Sequence, residues 1–479
     1  MQVAAFLSWD SSGQCKEEKG EQKMKIVFPK DFGWGFATSA YQIEGHWNGD
    51  GKGESIWDRF SRTPGRIRDG SNADIACDFY HRYEEDIRLA AEAGVKWMRM
   101  SLSWTRLLPA GTGAVERRGI AFYRNVFACL HSYGIKVNVT LYHWDLPQQL
   151  QHRGGWANRE SVEWFRNYAE IAYREFGDLV DQWVTFNEPH VAAFSGNWTG
   201  RHAPGNQDFS LALRVAHHIM LAHGAAVKAF RKTGLTSEIG VVLNMNYCRP
   251  QDPGKEEDVW AATMRRYYQN ELFAGPMLKG AYPQDFFGHL TSKGVILPDI
   301  LDGDMELIHQ ELDFLGVNNY FMDHLVKDEK EWPLCNRVVM TGAPQTCMGW
   351  EIQPEGLYYL VKWVHETYHP KKIMITENGM AGNDYPDEEG AVRDPYRISY
   401  LKGYLYHLQR AMQEGVPVKG YFAWSLTDNF EWSAGFSRRF GLVYVDYRTQ
   451  KRIPKESFYW FKEAIRSNGF DYPNREEKQ

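Results

Sequence analysis

The feature that most limits what this chain can fold into is a series of eight apolar runs that each end in polar or aromatic residues. The runs cover residues 32–42, 95–104, 135–144, 181–189, 238–246, 313–321, 371–379 and 418–426. The long connections between successive runs leave room for crossover helices, which parallel strands require. Eight strand-and-helix units of this kind predict an α/β fold, a closed (β/α)8 barrel of the TIM type.

Two features of the connections predict helices packed against that barrel. Apolar residues repeat at helical spacing in two stretches, which are Val162, Phe165, Ala169, Ala172 and Phe176, and Ile398, Leu401, Leu405, Leu408 and Met412. Glycines follow helical segments where a left-handed C-terminal cap is expected, at Gly94, Gly134, Gly177 and Gly415. Each helix is therefore predicted to lay one face on the sheet and to end shortly before the next strand.

An open, doubly wound sheet is the alternative arrangement of the same elements. Such a sheet concentrates its ligand site at one switch point, whereas polar residues follow the apolar runs all along this chain. Their distribution favours a barrel whose long βα loops form one active site. No repeat or linker interrupts the chain after residue 24, so we predict one domain over residues 24–470. Residues 1–23 are predicted to be a disordered tail or cloning remnant, and residues 471–479 a C-terminal tail.

Composition excludes several classes of partner. The chain has 55 Lys and Arg against 61 Asp and Glu and no extended basic stretch, so nucleic acid is not an expected partner. No stretch approaches the ~18 consecutive apolar residues of a membrane-spanning helix. The six cysteines form no C-x-x-C pair, which argues against a zinc site and a dense disulfide framework. This pattern favours reduced thiols in a cytoplasmic protein.

Tryptophan is abundant, with 18 residues in the chain. Flat indole rings stack well on the C–H faces of sugar rings. The same residues would equally suit a core rich in tryptophan, and the two interpretations stay open until their positions are known.

Two of the predicted strands end in a glutamate with polar neighbours. Residues 185–189 read T-F-N-E-P and place Glu188 at the end of the fourth strand, and residues 375–379 read I-T-E-N-G and place Glu377 at the end of the seventh. A single such glutamate is usually a surface charge or a helix cap. Two of them at the ends of barrel strands, each beside an asparagine, favour the carboxylate pair that glycoside hydrolysis requires.

These two segments resemble the signature segments of glycoside hydrolase family 1, the β-glucosidase family. Further motifs in the family's order are F-G-W-G at 32–35, S-A-Y-Q-I-E-G at 39–45, S-W at 103–104, L-Y-H-W-D-L-P at 141–147 and D-N-F-E-W at 428–432. The similarity extends over nearly all of residues 28–469. One departure is Asn319, where the family commonly has a second tyrosine; it affects local packing or leaving-group preference but not the chemistry.

The resemblance implies a double displacement in which Glu377 attacks the anomeric carbon and Glu188 serves first as acid and then as base. The two carboxyl groups are then expected roughly 5 to 5.5 Å apart. Arg99 matches an arginine that favours the carboxylate form of the nucleophile, and an ordinary ion pair of the barrel wall is the alternative. Tyr320 matches a tyrosine that hydrogen-bonds the nucleophile, and simple packing is its alternative.

The resemblance also implies a sugar pocket that needs neither a metal nor another cofactor. The residues that match its hydroxyl-binding set are Gln42, His143, Asn187, Glu431 and Trp432. The other implied contacts are Trp424 as a stacking floor, Phe440 near the 6-position, Trp350 as a platform for the leaving group, and Trp144 and Asn318 beside these motifs.

The implied function is a retaining, exo-acting β-glucosidase that acts on small-molecule β-glycosides, with side activity on β-galactosides and β-fucosides. A 6-phospho-β-glucosidase is disfavoured because the carboxylate of Glu431 would repel a phosphate dianion. Thioglucosidases carry a glutamine where this chain has Glu188. A non-catalytic sugar-binding relative is the alternative from another class, and the presence of both carboxylates argues against it. The sequence permits a homo-oligomer.

Overall fold

Eight parallel strands form a closed barrel in a computed structural model that describes residues 7–9, 15–17 and 23–473. In chain order the strands, β1 to β8, are Gly33–Ala37, Trp97–Ser101, Lys136–Tyr142, Gln182–Asn187, Glu238–Asn244, Phe314–Asn318, Ile373–Asn378 and Val418–Trp424. Each strand pairs with its neighbour in the chain, and β8 closes the barrel on β1 with Gly420 opposite Gly33. The predicted (β/α)8 fold is confirmed, and every strand lies within one predicted run.

Ten longer helices accompany the barrel in the described part of the chain. In chain order, α1 to α10 are Phe79–Ala93, Arg117–Ser132, Ser161–Phe176, Phe209–Thr233, Glu256–Arg266, Leu272–Lys279, Gln284–Ser292, Glu355–Tyr368, Pro395–Gln413 and Glu456–Arg466. The predicted apolar stripe of α3 is buried over its whole length, from Val162 to Phe176. In α9 the central residues Leu401, Leu405 and Leu408 are buried, while the stripe is half-buried at its two ends. The helices therefore pack one face on the sheet, as predicted.

Shorter elements connect this framework. The short helices are Ala40–Ile43, Ile56–Arg62, Trp104–Leu107, Gln148–His152 and Asp304–Ile308, with 3-10 turns at Gly155–Ala157 and Trp432–Ser437 and π-helical turns at Val191–Ser195 and Tyr267–Glu271. The minor strands are Leu7–Trp9 with Cys15–Glu17, Lys23–Val27 with Gly469–Pro473, Val443–Asp446 with Lys451–Pro454, and Cys248–Pro250, Asp323–Lys327 and Asn336–Val339 in a small sheet.

The ends of the chain are only partly described. Residues 1–6, 10–14 and 18–22 of the predicted N-terminal tail and residues 474–479 of the predicted C-terminal tail lie outside the described residues. Where the description begins again, Lys23–Val27 pairs with Gly469–Pro473 and brings the two ends of the domain together. Within the described part of the chain, no helix combines the length and apolar character needed to cross a bilayer.

Three of the four predicted glycine caps are confirmed. Gly94, Gly134 and Gly415 adopt the left-handed conformation, with φ of 83°, 68° and 94°. The prediction for Gly177 is wrong, since its φ is −59° and the backbone continues in a helical turn. A side chain there would lie 2.5 Å from the Tyr173 carbonyl oxygen and 2.7 Å from Leu235. Glycine is needed at this position for close packing rather than for a positive φ.

Candidate active site

The carboxyl ends of the strands surround one large cavity that opens to solvent, and its empty space, counted out to the open mouth, is about 1580 Å³. This volume exceeds what one sugar ring fills, so a leaving group has room beyond it. The predicted residues that line it are His143, Trp144, Asn187, Glu188, Asn318, Tyr320, Trp350, Glu377, Trp424, Glu431, Trp432 and Phe440. The remaining two, Gln42 and Arg99, are completely buried behind its wall.

Glu377, at the end of β7, is held by two donors from other strands. Arg99 of β2 donates from Nη1 to Glu377 Oε1 over 2.5 Å, and the hydroxyl of Tyr320 donates to Oε2 over 2.7 Å. Burial raises the pKa of the Glu377 carboxyl, while Arg99 and Tyr320 act to lower it by stabilising the charged form. The ion pair with Arg99 and the hydrogen bond from Tyr320 thus stabilise a negative charge on Glu377 against the cost of burial.

Glu188 follows β4 and has a different environment. Its carboxyl Oε1 accepts a hydrogen bond from Asn318 Nδ2 over 2.7 Å, and within the described residues it forms no ion pair of its own. Burial, followed by the negative charge of Glu377, raises the pKa of Glu188 to about 8. Of the two carboxyl groups, Glu377 is therefore the one that keeps its charge and Glu188 the one that keeps its proton near neutral pH.

Asn187 and His143 form a fixed pair of donors beside these carboxyl groups. Asn187 Oδ1 accepts from Arg99 Nη2 at 2.6 Å and from Asn318 Nδ2 at 3.0 Å, so its amide orientation is set. Its Nδ2 donates to His143 Nε2 at 3.0 Å. Burial and the charge of Arg99 lower the pKa of His143, which is neutral. The proton then lies on Nδ1, a buried atom with no partner among the described residues and available to a ligand.

The inner end of the cavity is closed by buried aromatic rings around a third carboxyl group. Trp424 and Trp432 lie nearly parallel to the His143 ring, at 6.1 and 5.8 Å between centroids. Glu431 receives one weak hydrogen bond, from Gln42 Nε2 at 3.4 Å, and burial and the charge of Glu377 raise its pKa to about 8. Gln42 thus supports Glu431 from behind the wall.

The tryptophan residues serve both purposes left open by composition. Trp57, Trp104 and Trp183 are completely buried in the core. Five others line the cavity, namely Trp144, Trp198, Trp350, Trp424 and Trp432. The indole faces at the cavity suit the apolar faces of a sugar and its leaving group.

Asn319, the departure from the family pattern, does not line the cavity. Its Nδ2 donates to the carbonyl oxygens of Met245 and Phe321, at 2.9 and 3.0 Å. The side chain is buried and joins the loop after β5 to the loop after β6. The consequence of the departure is therefore in packing.

Sequence reasoning missed much of the outer cavity wall. The missed lining residues include His190, Phe194, Trp198, Arg201, Asn244, Asn246, Arg265, Tyr268, Gln269, Phe321 and Met348. Asn244 and Asn246 end an apolar run, a signal that could have identified them. The residues from 190 to 201 and from 265 to 269 lie in two π-helical turns, the helical residues next to them and a loop, where no motif or periodic pattern identified them as cavity wall.

A buried network of charges lies beneath the loops that follow β7 and β8. Its members are Asp384, Asp394, Arg397, Asp428, Arg439 and Lys455. Lys455 contacts Asp384, and its Nζ lies 2.7 Å from Asp428 Oδ1. Asp428 also accepts from the backbone N–H of Gly441 at 3.0 Å, next to Phe440. The network thereby fixes the loops that carry the inner end of the cavity.

Replacing Lys455 with methionine is expected to lower the free energy of unfolding by about 3–5 kcal/mol, because two buried carboxylates lose a shared cation. Guanidinium chloride unfolding measures this loss. Lys228→Met on the exposed face of α4 is the control, with an expected change within about 0.5 kcal/mol. Equal stability of the two variants would contradict the importance of the network.

The described residues contain no group of three or more His, Cys, Asp and Glu placed to hold a metal ion. The site therefore consists of three buried carboxyl groups, one buried guanidinium and a set of neutral donors and aromatic rings. This combination can transfer protons and stabilise a developing positive charge on a bound sugar.

Comparisons with known proteins agree with this site. A sequence profile of Glycosyl hydrolase family 1 matches residues 24–470. Beta-glucosidase A of Thermotoga maritima is 47% identical over 445 residues, which cover 93% of this chain and 99% of that protein. The bifunctional beta-D-glucosidase/beta-D-fucosidase of Bifidobacterium breve is 40% identical over 465 residues, which cover 92% of this chain and 99% of that protein.

The fold is also shared with a solved structure. The beta-glucosidase from Thermotoga maritima in complex with deoxynojirimycin aligns with a TM-score of 0.90 and 46% sequence identity. The alignment covers 93% of this chain and 100% of that one. The family profile and the relatives span almost the same part of the chain, and that part holds the whole barrel and both strand-end glutamates. The chain therefore belongs to glycosyl hydrolase family 1.

Proposed function

We propose that this family member is a retaining β-glucosidase that releases terminal β-D-glucose from the non-reducing end of small β-glucosides. The observation that carries the proposal is the unequal environment of two strand-end glutamates on one cavity. Arg99 contacts Glu377, whereas Glu188 has only an amide donor. One carboxylate and one carboxylic acid are thus available together, as a glycosidase requires.

In the first step the Glu377 carboxylate attacks the anomeric carbon as the bond to the leaving-group oxygen breaks. Glu188 transfers its proton to that oxygen, so the aglycone departs as a neutral alcohol or phenol. The product is a glucosyl ester of Glu377. Because the ester removes the negative charge that raises the pKa of Glu188, Glu188 is then ready to act as a base.

In the second step Glu188 removes a proton from water as the water oxygen attacks the anomeric carbon. The ester bond breaks, and Glu377 regains its charge beside Arg99 and Tyr320. Two displacements at the same carbon give net retention of the β configuration. Asn187, fixed by Arg99 and Asn318, is placed to meet a sugar hydroxyl, a contact that strengthens in the transition state.

Closure of the inner end supports exo action on an unphosphorylated sugar. Trp424, Trp432 and Phe440 are all less than 5% exposed. They leave no room for a further sugar unit beyond the one bound at the inner end. The carboxyl group of Glu431 lies at this end without a cation. It can exchange hydrogen bonds with sugar hydroxyls, whereas a phosphate dianion at this end would find no cation paired with it among the described residues and would face the charge of Glu377. A neutral terminal sugar therefore fits best.

Hydrolysis of a panel of 4-nitrophenyl glycosides tests the proposal. We expect turnover of the β-glucoside, slower or comparable turnover of the β-fucoside and β-galactoside, and no turnover of the α-glucoside. The fucose activity is supported by the bifunctional relative from Bifidobacterium breve, and each sugar differs from glucose by few hydroxyl contacts. Proton NMR of the first product should show β-glucose. Glucoside turnover far below all the others would contradict the assignment.

The free cysteines support the predicted cytoplasmic location. Cys77, Cys129, Cys248, Cys335 and Cys347 carry free thiols, so the cysteine side chains that the structure describes form no disulfide. Free thiols persist in a reducing compartment. We accordingly propose a cytoplasmic enzyme that meets small glucosides there.

A further inference from the structure

The cavity wall beside Glu188 contains polar groups that have no hydrogen-bond partner among the described residues. It is formed by the π-helical turns Val191–Ser195 and Tyr267–Glu271 and by the residues that border them. Such turns are rare and often found at functional sites. We call this surface the basic wall and define it by His190, Arg201, Arg265 and Tyr268.

The two guanidinium groups of the basic wall retain unused donors. Arg265 Nε donates to Asp323 Oδ2 at 3.1 Å, but its terminal nitrogens form no hydrogen bond to the described residues. Arg201 is exposed at the mouth of the cavity, and its guanidinium forms no ion pair within the described part of the chain. Two positive charges thus border the cavity against the single carboxylate of Asp323. Guanidinium groups with free N–H donors are well suited to carboxylates.

Two neutral donors lie next to these charges. The Tyr268 ring packs against His190 and Phe194, at 4.6 and 4.9 Å between centroids. Its hydroxyl makes no hydrogen bond to the described residues. His190 is 8% exposed, and its Nε2 is buried without a partner. Because buried polar atoms are nearly always hydrogen-bonded, we expect a ligand atom to satisfy His190 Nε2 and to meet the Tyr268 hydroxyl beside it.

The position of the basic wall determines which part of the substrate it meets. The wall begins two residues after Glu188, the proposed proton donor, and extends to the exposed Arg201. Because the inner end is closed by other, buried residues, the wall lies on the side of the leaving group. The negative charge of Glu377 disfavours an anion on the sugar itself, and Glu431 at the inner end forms no ion pair with a described residue. Aromatic side chains of Trp198, Phe321 and Trp350 line the same cavity and suit a flat ring.

We propose that the enzyme is selective for aryl β-glucosides whose phenolic leaving group carries a carboxylate on its ring, with Arg201 and Arg265 binding that carboxylate. This inference rests on the proposed β-glucosidase activity and names the substrate class of the same site. Tyr268 and His190 complete the donor set around the carboxylate, and the nearby aromatic rings hold its planar ring.

A pair of substrates that differ only in charge tests this selectivity. They are 4-carboxyphenyl β-D-glucoside and its methyl ester, and the measured quantity is the ratio of their kcat/KM values. We expect Arg201→Gln to lower the acid-to-ester ratio about fivefold to tenfold, since a charge-assisted contact is lost, and Arg201→Lys to restore most of it. Differences in leaving-group reactivity cancel when the ratio is compared between variants. Added NaCl should lower the wild-type ratio by screening.

Arg214→Gln is the matched control, because it removes the same charge from an exposed position of α4 outside the cavity. Its ratio should equal that of the wild type. Arg265→Lys, which keeps the charge beside Asp323 but loses the planar donor pair, should also lower the ratio. Ratios unchanged in both Arg201→Gln and Arg265→Lys would overturn the proposal while leaving β-glucosidase activity intact. Failure of the wild type to hydrolyse either substrate or 4-nitrophenyl β-D-glucoside would instead refute the proposed function.

Discussion

Replacement of Glu377 by glutamine is expected to lower kcat on 4-nitrophenyl β-D-glucoside by about 10⁴-fold or more. The amide cannot supply the negative charge that attacks the anomeric carbon. It also leaves the Arg99 guanidinium without the carboxylate that it contacts in the wild type. Steady-state kinetics measures the loss, and a 2-deoxy-2-fluoro-glucoside should label the wild-type enzyme on Glu377 when the inactivated protein is mapped by mass spectrometry.

The stereochemistry of rescue by azide provides a sharper control for Glu377. In Glu377→Gly, azide can occupy the space of the missing side chain and attack directly, so the expected product is α-glucosyl azide. In Glu188→Gly the glucosyl ester still forms, azide attacks the ester, and the product is β-glucosyl azide. Undiminished hydrolysis by Glu377→Gln, a label on a different residue, or β-glucosyl azide from Glu377→Gly would each refute the role of Glu377.

Replacement of Glu188 by glutamine is expected to lower kcat/KM on substrates with poor leaving groups, such as cellobiose, by about 10²- to 10⁴-fold. These substrates need a proton on the departing oxygen. A 2,4-dinitrophenyl glucoside needs none, so its glucosyl ester should form rapidly and then accumulate because water lacks its base. Stopped-flow kinetics should show a burst of dinitrophenol followed by a slow steady state. Equal losses on both substrates would indicate that Glu188 is not the acid.

The pH profile adds an independent prediction for Glu188. Burial and the charge of Glu377 raise the pKa of Glu188 to about 8, above its ordinary value, so the proton needed for catalysis is present at neutral pH and is lost as the pH rises through that value. In the wild type kcat/KM should therefore fall about tenfold per pH unit above about pH 8. Glu431 also has a pKa raised to about 8, and Glu431→Gln is the control: its basic limb should persist, whereas that of Glu188→Gln should disappear.

The loop network and the catalytic pair illustrate two uses of buried charge in one domain. The three carboxylates and three cations of the network balance in charge and fix backbone segments. Glu188 and Glu377 do not neutralise one another. The repulsion between their negative charges keeps one proton on the pair, and Glu188 carries it. Variants of the network should therefore change stability most, while Glu188→Gln, which breaks no ion pair of the described residues, should change kcat with little change in unfolding.

Local signals in the sequence were sufficient for the barrel. The eight apolar runs and the stripes of α3 and α9 depend on residues close together in the chain, and burial of one face follows from their period. Gly177 shows the limit of such signals. A glycine after a helix predicts a left-handed cap, but this glycine is required because a side chain would collide with Tyr173 and Leu235. A contact with a distant side chain leaves no local pattern to detect.

The sequence by itself determined the (β/α)8 fold and, with the family motifs, the two strand-end glutamates on which the chemistry depends. The motifs also implied that Glu377 keeps its charge, but only the tertiary structure supplied the physical cause, because Arg99 reaches Glu377 across 278 positions of the chain. It also brought His190 and Arg201 beside Arg265 and Tyr268, from segments in which no motif or periodic pattern indicated a site. Electrostatic environment depends on distances in space, and those distances exist only once the barrel has closed.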